Sequence, residues 1–306
     1  MSRFLTLFLN GADGSRWNLT DETEGALLRP GPQKIFDAPA STYWLETSTG
    51  SHYQGMRYDR RDPVFSVQLH HPSRDPYAWA DLDSRFRMAL GKVGDGVFEL
   101  EAHTNYGIRR LKMRQLTEPT AYATAEYEGK DPWLYRDSTL AIAAACENPF
   151  WEADPLVLEW ELESGESGEA MLPFENRGDV EVCWRAQATA PAQWRFQDRS
   201  WGQKLYAKTT PPYHRAIDDA NRMAEWLPLL LPGEDLSIDT DPDEPTLVAA
   251  NGALVQGRWD GNGFLYPLRA GLLPTDVPVM VRNAYPGAAV KVWIPRRFSR
   301  PWGVTL

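Results

Sequence analysis

Leu156-Val157-Leu158-Glu159-Trp160-Glu161-Leu162-Glu163 is the stretch whose reading decides the fold. Leu156, Leu158, Trp160 and Leu162 alternate with Glu159, Glu161 and Glu163, so one face is apolar and the other carries carboxylates. Successive side chains of a strand point to opposite faces, whereas a helix would scatter these residues around its circumference. The segment reads as a half-buried β-strand with an acidic row toward water.

The same period recurs upstream. Residues 4–9 open as a strand, and in Val64–His70 Phe65, Val67 and Leu69 oppose Ser66, Gln68 and His70. Phe98, Leu100 and Ala102 oppose Glu99, Glu101 and His103 just after the tight-turn signal Gly94-Asp95-Gly96. Further strands are expected at 110–116, 121–127 and 139–145. One helix interrupts them: Asp75 caps it, Pro76 starts it, and Gly91 ends it. Between these, Trp79, Leu82, Phe86 and Leu90 recur at helical spacing and form one apolar stripe.

Downstream, Val180, Val182, Trp184 and Ala186 predict the next strand, followed by Trp194 to Phe196. Later strands are expected at Leu236–Asp239, 246–249, 264–268, 277–282 and 289–294. Turns such as Asp260-Gly261-Asn262-Gly263 and Pro286-Gly287 separate some of them, and a short helix is expected at 216–226. Short strands spaced by about 8–12 residues indicate a sandwich. The expected fold is mainly β: an N-terminal antiparallel domain with one packed helix over residues 1–150, and a β-sandwich over 151–306. Asn148-Pro149 and Asp154-Pro155 supply turn signals at that boundary.

Composition agrees. The 306 residues suit two domains at roughly 150 residues each. The 42% hydrophobic content excludes disorder as a class, while 24 Pro and 23 Gly suit turn-rich β domains better than helical bundles. No apolar run approaches the roughly 20 residues of a membrane span. Met1-Ser2-Arg3-Phe4 leads directly into alternating residues with no leader-like apolar region, so a cytoplasmic origin is expected. The two cysteines, Cys146 and Cys183, have neither disulfide-framework nor zinc spacing and are expected as reduced thiols. A net charge of −10 argues against general nucleic-acid affinity, which needs clustered Lys and Arg.

Candidate chemistry is sparse. Glu99 and Glu101 share a strand face, as a glycosidase pair would, but Glu159 and Glu161 repeat the pattern on a solvent face. Asp239-Thr240-Asp241-Pro242-Asp243-Glu244 resembles a calcium loop, yet the sixth position holds Glu244 instead of Gly and the twelfth Ala250 instead of Glu, so it reads as an acidic turn. His70 and His71 are adjacent on a strand, point to opposite faces, and cannot readily chelate one ion. His52, His103 and His214 stand alone. No nucleophile elbow, Walker loop or dinucleotide fingerprint occurs. Catalytic, cofactor and metal residues are therefore assigned to none. Trp160 and Trp184 fall in phase with the buried rows, whereas Trp17, Tyr43, Trp44, Trp133, Tyr135 and Trp201 read as core or subunit interface ahead of a sugar-stacking platform.

Several segments resemble the distal tail protein family of long-tailed phages, particularly forms from phages of actinobacteria. They are Ala145-Cys146-Glu147-Asn148-Pro149-Phe150-Trp151, Phe174-Glu175-Asn176-Arg177-Gly178-Asp179 with Trp184, Leu236-Ser237-Ile238-Asp239-Thr240-Asp241-Pro242, and the run from Val292 to Trp302. The resemblance implies a ring-forming N-terminal domain and a galectin-like C-terminal sandwich, with Trp293 and Trp302 closing the latter. It implies a structural hub with no enzymatic role and no cofactor. Its expected partners are further copies in a hexameric ring, the tail tube protein, and tail tip, baseplate or receptor-binding proteins. DNA would pass through without specific binding and no membrane would be entered. Its place would be the virion tail, assembled in the host cytoplasm. The alternative is a carbohydrate-binding tail module that contacts the host surface, with glycoside hydrolysis by Glu99 and Glu101 third.

Overall fold

The computed structural model describes residues 4–73, 75–121, 131–201 and 222–303. The chain forms two compact units, Met1–Ala153 with Phe298–Gly303 and Asp154–Arg297 with Val304–Leu306.

In the first unit β1 (Leu5–Asn10) lies between β2 (Arg16–Asn18) and β7 (Phe98–Thr104), and β7 continues to β8 (Gly107–Gln115). A second set places β6 (Val64–His70) between β3 (Ala26–Leu28) and β10 (Asp137–Ala145), with β9 (Thr120–Ala121) beyond β10. All pairings are antiparallel. The apolar members of each alternating row turn inward: Leu7 and Leu9, Phe65, Val67 and Leu69, and Phe98, Leu100 and Ala102 share one core. Each large side chain so buried contributes about 1.5–3 kcal/mol.

Helix α1 (Pro76–Leu90) adds Leu82, Phe86, Ala89 and Leu90 to that core. The Asp75 carboxylate accepts the Tyr77 N–H at 3.0 Å, which satisfies one of the helix's unpaired donors. Gly91 ends the helix with φ 73°, and a Cβ there would stand 3.1 Å from the Cα of Gly96. Glycine is thus required twice over, by conformation and by close approach. The edge-to-face pair of Trp17 and Phe86, 5.2 Å between centroids, ties the helix to β2. A one-turn helix α2 (Pro132–Tyr135) follows, and β4 (Ala40–Thr47) with β5 (Gly50–Tyr58) forms a separate two-stranded hairpin.

The second unit is a sandwich. One sheet runs β16-β15-β13-β18-β11, formed by β16 (Leu247–Ala249), β15 (Leu236–Asp239), β13 (Arg185–Ala188), β18 (Ala289–Phe298) and β11 (Trp151–Glu161). The other runs β12-β17-β14, formed by β12 (Ser167–Asn176), β17 (Leu272–Arg282) and β14 (Gln193–Phe196). Leu172, Phe174, Trp194, Phe196, Val277 and Val279 meet Ala186, Ile238, Val290, Val292 and Ile294 across one core.

Five expectations change. Of the strand expected at 121–127 only Ala121 lies among the described residues, and of the helix expected at 216–226 only the part from Arg222 to Trp226. There the backbone is extended: Ala224 N donates to Phe196 O, Leu227 N to Trp194 O and Leu230 N to Ala192 O. Ala224, Leu227 and Leu230 bury at a spacing of three along this extended segment, and Pro228 and Pro232 suit it. The strands expected at 180–186 and 264–268 shrink to an isolated bridge between Val182 and Leu268, with regular pairing starting only at Arg185. Beside the bridge, in which Val182 and Leu268 exchange both backbone bonds, Asn176 Nδ2 reaches the carbonyls of Val180, Leu268 and Arg269. Asp154 and Pro155 sit inside β11 instead of forming a turn. Trp302 packs in the first unit, not in the sandwich, with its ring 5.9 Å from Phe4 and 5.1 Å from Phe36.

Candidate functional site

The most unusual surface is the β4–β5 hairpin. Its strands pair with each other and with no further described strand. Tyr43, Trp44, Leu45, Tyr53 and Met56 are all between 44% and 57% exposed. Tyr43 and Leu45 lie on one side of β4 and Trp44 on the other, so apolar surface faces water on both sides. Trp44 pairs across the hairpin with Tyr53, 5.4 Å between centroids, and Arg57 sits 5.5 Å from the Tyr43 ring. A two-stranded hairpin alone in water is at best marginally stable, and uncovered strand edges invite pairing with another chain.

The root of the hairpin is anchored. Asp59 N donates to Pro39 O at 3.0 Å, and the Asp59 carboxylate accepts from the Ser41 hydroxyl and from Arg57 Nε. These bonds hold the Asp59 carboxyl below its ordinary pKa, the Ser41 bond first among them. Tyr58 stacks edge-on against Phe150 at 4.6 Å. A second exposed apolar patch surrounds α2, where Trp133 meets Tyr77 at 4.9 Å and Leu134 and Tyr135 point outward.

Glu99 and Glu101 lie in register with Asn10 and Phe8 of β1, and with Lys112 and Arg110 of β8. Glu101 is 5% exposed, so its carboxylate is not on a solvated face. It accepts from Arg16 Nη2 at 2.8 Å and Arg110 Nε at 2.9 Å, and lies 2.6 Å from His103 Nε2. Burial alone would push the Glu101 pKa up. The bonds from His103, Arg110 and Arg16 outweigh burial and hold it at about 2. A carboxylate so stabilised is a poor proton donor near neutrality, and Glu99 is engaged by Asn10 Nδ2 at 3.1 Å. The pair knits four strands together.

The acidic run from Asp239 forms a turn in which Asp241 N donates to Asp239 Oδ1 and Asp243 N to Asp241 Oδ1. Asp239 also pairs with Arg185 at 2.7 Å. His71 Nδ1 accepts the Ser73 N–H at 3.2 Å. Among the described residues no group of three or more His, Cys, Asp or Glu side chains is placed to hold a metal. Trp184 and Trp194 are buried in the sandwich, and Trp160 stacks on Trp194 at 6.0 Å. Cys146 and Cys183 form no disulfide. No described helix is long and apolar enough to cross a membrane.

Sequence reasoning grouped Tyr43 and Trp44 with turn-rich stretches and missed the hairpin around them. The signal was there in a weak form: Thr42, Tyr43, Trp44 and Leu45 favour strand, and Gly50 offers a turn.

No family model matches the chain. It is 24% identical to the minor tail protein Gp27 of Mycobacterium phage D29, over 97% of both chains. It is also 24% identical to Gp27 of Mycobacterium phage L5, with the same coverage. Among solved structures it is similar to the SPP1 Dit protein (gp 19.1), a paradigm of the hub adsorption apparatus in phages that infect Gram-positive bacteria. That match has a TM-score of 0.53 at 10% identity and covers 97% of this chain and 100% of Dit. The chain is thus Dit-like in fold, and along its length it is similar to phage minor tail proteins.

Proposed function

We propose that this chain is the structural hub of a phage tail, a distal tail protein that joins the tail tube to the tip or baseplate. The observation that carries the reading is the likeness to minor tail proteins over nearly the whole of both chains. The exposed hairpin adds a physical reason for assembly, because apolar surface on two opposite faces is satisfied by two neighbours. A chain that uses different patches to meet the copies on either side forms a heterologous contact, which closes into a ring when the rotation allows. On this reading the first unit forms a ring, hexameric as in the family, and the second is the galectin-like domain that holds tip or receptor-binding proteins.

The role is structural, not catalytic. The protein is built in the host cytoplasm and ends in the virion tail. Its net charge of −10 suits a channel through which DNA slides without sticking, since binding needs basic groups.

Negative-stain microscopy and light scattering of the purified protein, alone and co-expressed with its tail tube protein, test this. Closed rings in either condition support the hub. A monomer in both conditions, with glycan binding that disappears on substitution of an exposed Trp, refutes it in favour of a carbohydrate-binding module.

A further inference from the structure

The second unit leaves the chain path at Arg297, and the next six residues, Phe298–Gly303, belong to the first unit. What they touch there is specific. Phe298 is buried in the first core, and the Arg109 guanidinium lies 3.5 Å from its ring centroid. Arg109, itself 1% exposed, donates through Nη1 to Arg300 O at 2.7 Å and through Nη2 to Gly303 O at 2.8 Å. Trp302 packs between Phe4 and Phe36.

One atom of this strap bears on the hairpin. The Ser299 carbonyl oxygen accepts the Ala38 N–H at 2.7 Å and Arg61 Nη2 at 3.2 Å. Ala38 lies two residues before β4 begins and Arg61 three residues after β5 ends. Both feet of the hairpin therefore converge on a single backbone oxygen from the strap. Arg61 is fully buried, and its other bond runs from Nη1 to Ile35 O at 2.6 Å. Arg300 pairs with Asp37 at 3.2 Å, beside the same foot.

Loss of a partner leaves a buried guanidinium facing apolar surroundings, and Arg61, whose Nε already lacks a partner among the described residues, can least afford to lose the Ser299 carbonyl. Arg61 reaches its partner across 238 residues, Arg109 its partners across 191 and 194. We propose that Phe298–Gly303 is a closing strap that sets the β4–β5 hairpin in place, so that the hairpin is presented for assembly only after the strap has been made and docked. Synthesis runs toward the C-terminus, so the first unit emerges early and stays unclosed until the second has been made. Nascent chains are thereby kept from associating through the hairpin.

The link to assembly rests on the hub reading, whereas the ordering of the hairpin does not. Amide hydrogen exchange across residues 40–58 tests the ordering, with β12 and β17 as internal reference. Ending the chain after Arg297 is expected to speed hairpin exchange at least tenfold while β12 and β17 keep their protection. Adding a synthetic peptide of residues 298–306 restores the slow exchange. Hairpin exchange within twofold of the full-length chain overturns the proposal. Should the shortened chain precipitate, full-length Trp302→Ala decides by the same readout, with faster hairpin exchange expected and unchanged exchange overturning it. If the strap orders the hairpin but the intact protein never assembles, the hub reading fails and the strap stands. If the intact protein assembles with a hairpin indifferent to the strap, the reverse holds.

Discussion

Replacing Glu101 by Gln is the sharpest test of how the first unit is held together, because one side chain receives donors from the neighbouring strand β8, from β2 one strand further away, and from its own strand. In the folded protein burial pushes the Glu101 pKa up, but bonds from His103, Arg110 and Arg16 bring it from 4.5 to about 2. A drop of that size corresponds to about 3 kcal/mol of stability, at 1.36 kcal/mol per pH unit. It is an upper figure, since the Arg16 side chain is 46% exposed and water screens its share. The sign follows from the depressed value. The contribution is fully present above the unfolded pKa, and it disappears as pH falls toward the folded one. Between pH 6 and pH 3 the wild-type protein should lose about 2 kcal/mol from this group. Glu101→Gln should be less stable at pH 7 by about 2–3 kcal/mol, or roughly 4–12 °C in the melting of a unit of this size. Its first-unit stability should also fall less steeply toward pH 3. Hydrogen exchange of β1, β7 and β8 as a function of pH reports the first unit by itself. A variant with the wild-type pH slope would refute the claim that Glu101 carries that charge-linked stability.

Gly178→Ala should destabilise the second unit by about 2–4 kcal/mol, because the new Cβ would lie 2.2 Å from Arg297 O and a backbone oxygen cannot swing aside. An unchanged melting temperature would show that the turn relaxes freely. Asn176→Ala should cost about 2–4 kcal/mol by removing the donor shared among three carbonyls, measured by urea denaturation of the same unit. Trp44→Ser with Leu45→Ser should leave melting within about 2 °C, since both side chains are exposed, yet weaken self-association by roughly 30-fold or more in sedimentation. Cys146 should resist a thiol reagent at pH 8 until the protein unfolds, because burial drives its pKa up to about 12.

Strands whose alternation is strict were legible in the sequence. Leu156, Leu158 and Trp160 turn toward the core and Glu159 and Glu161 toward water, as the period requires. α1 was legible because Asp75, the apolar stripe and Gly91 agree on one helix. From Arg222 on, the chain is extended where helix is expected, because its backbone pairs with distant residues 192–198, a contact no local pattern records. β12 escaped notice because its first half is largely exposed and only Leu172 onward turns inward. The hairpin escaped for a related reason: both its faces are wet, so no alternation marks it.

The candidate surfaces divide in the same way. Glu99 and Glu101 could be placed on one strand face from spacing alone. That Glu101 is buried beneath Arg16, Arg110 and His103 depends on the register of four strands, which no local pattern encodes. The resemblance to distal tail proteins was carried by short segments, and the full-length comparisons agree with it.

By itself the sequence determined the secondary structure wherever burial is one-sided, because the period of apolar residues records which face meets the core. It also determined the β-rich class and the location of the packed helix. Tertiary structure alone decided that Phe298–Gly303 serves the first unit, that Asn176 reaches three carbonyls of distant segments, and that Tyr43, Trp44 and Leu45 stand in water. Each of these depends on contacts between residues far apart in the chain, and such contacts leave no periodic trace in the order of the amino acids.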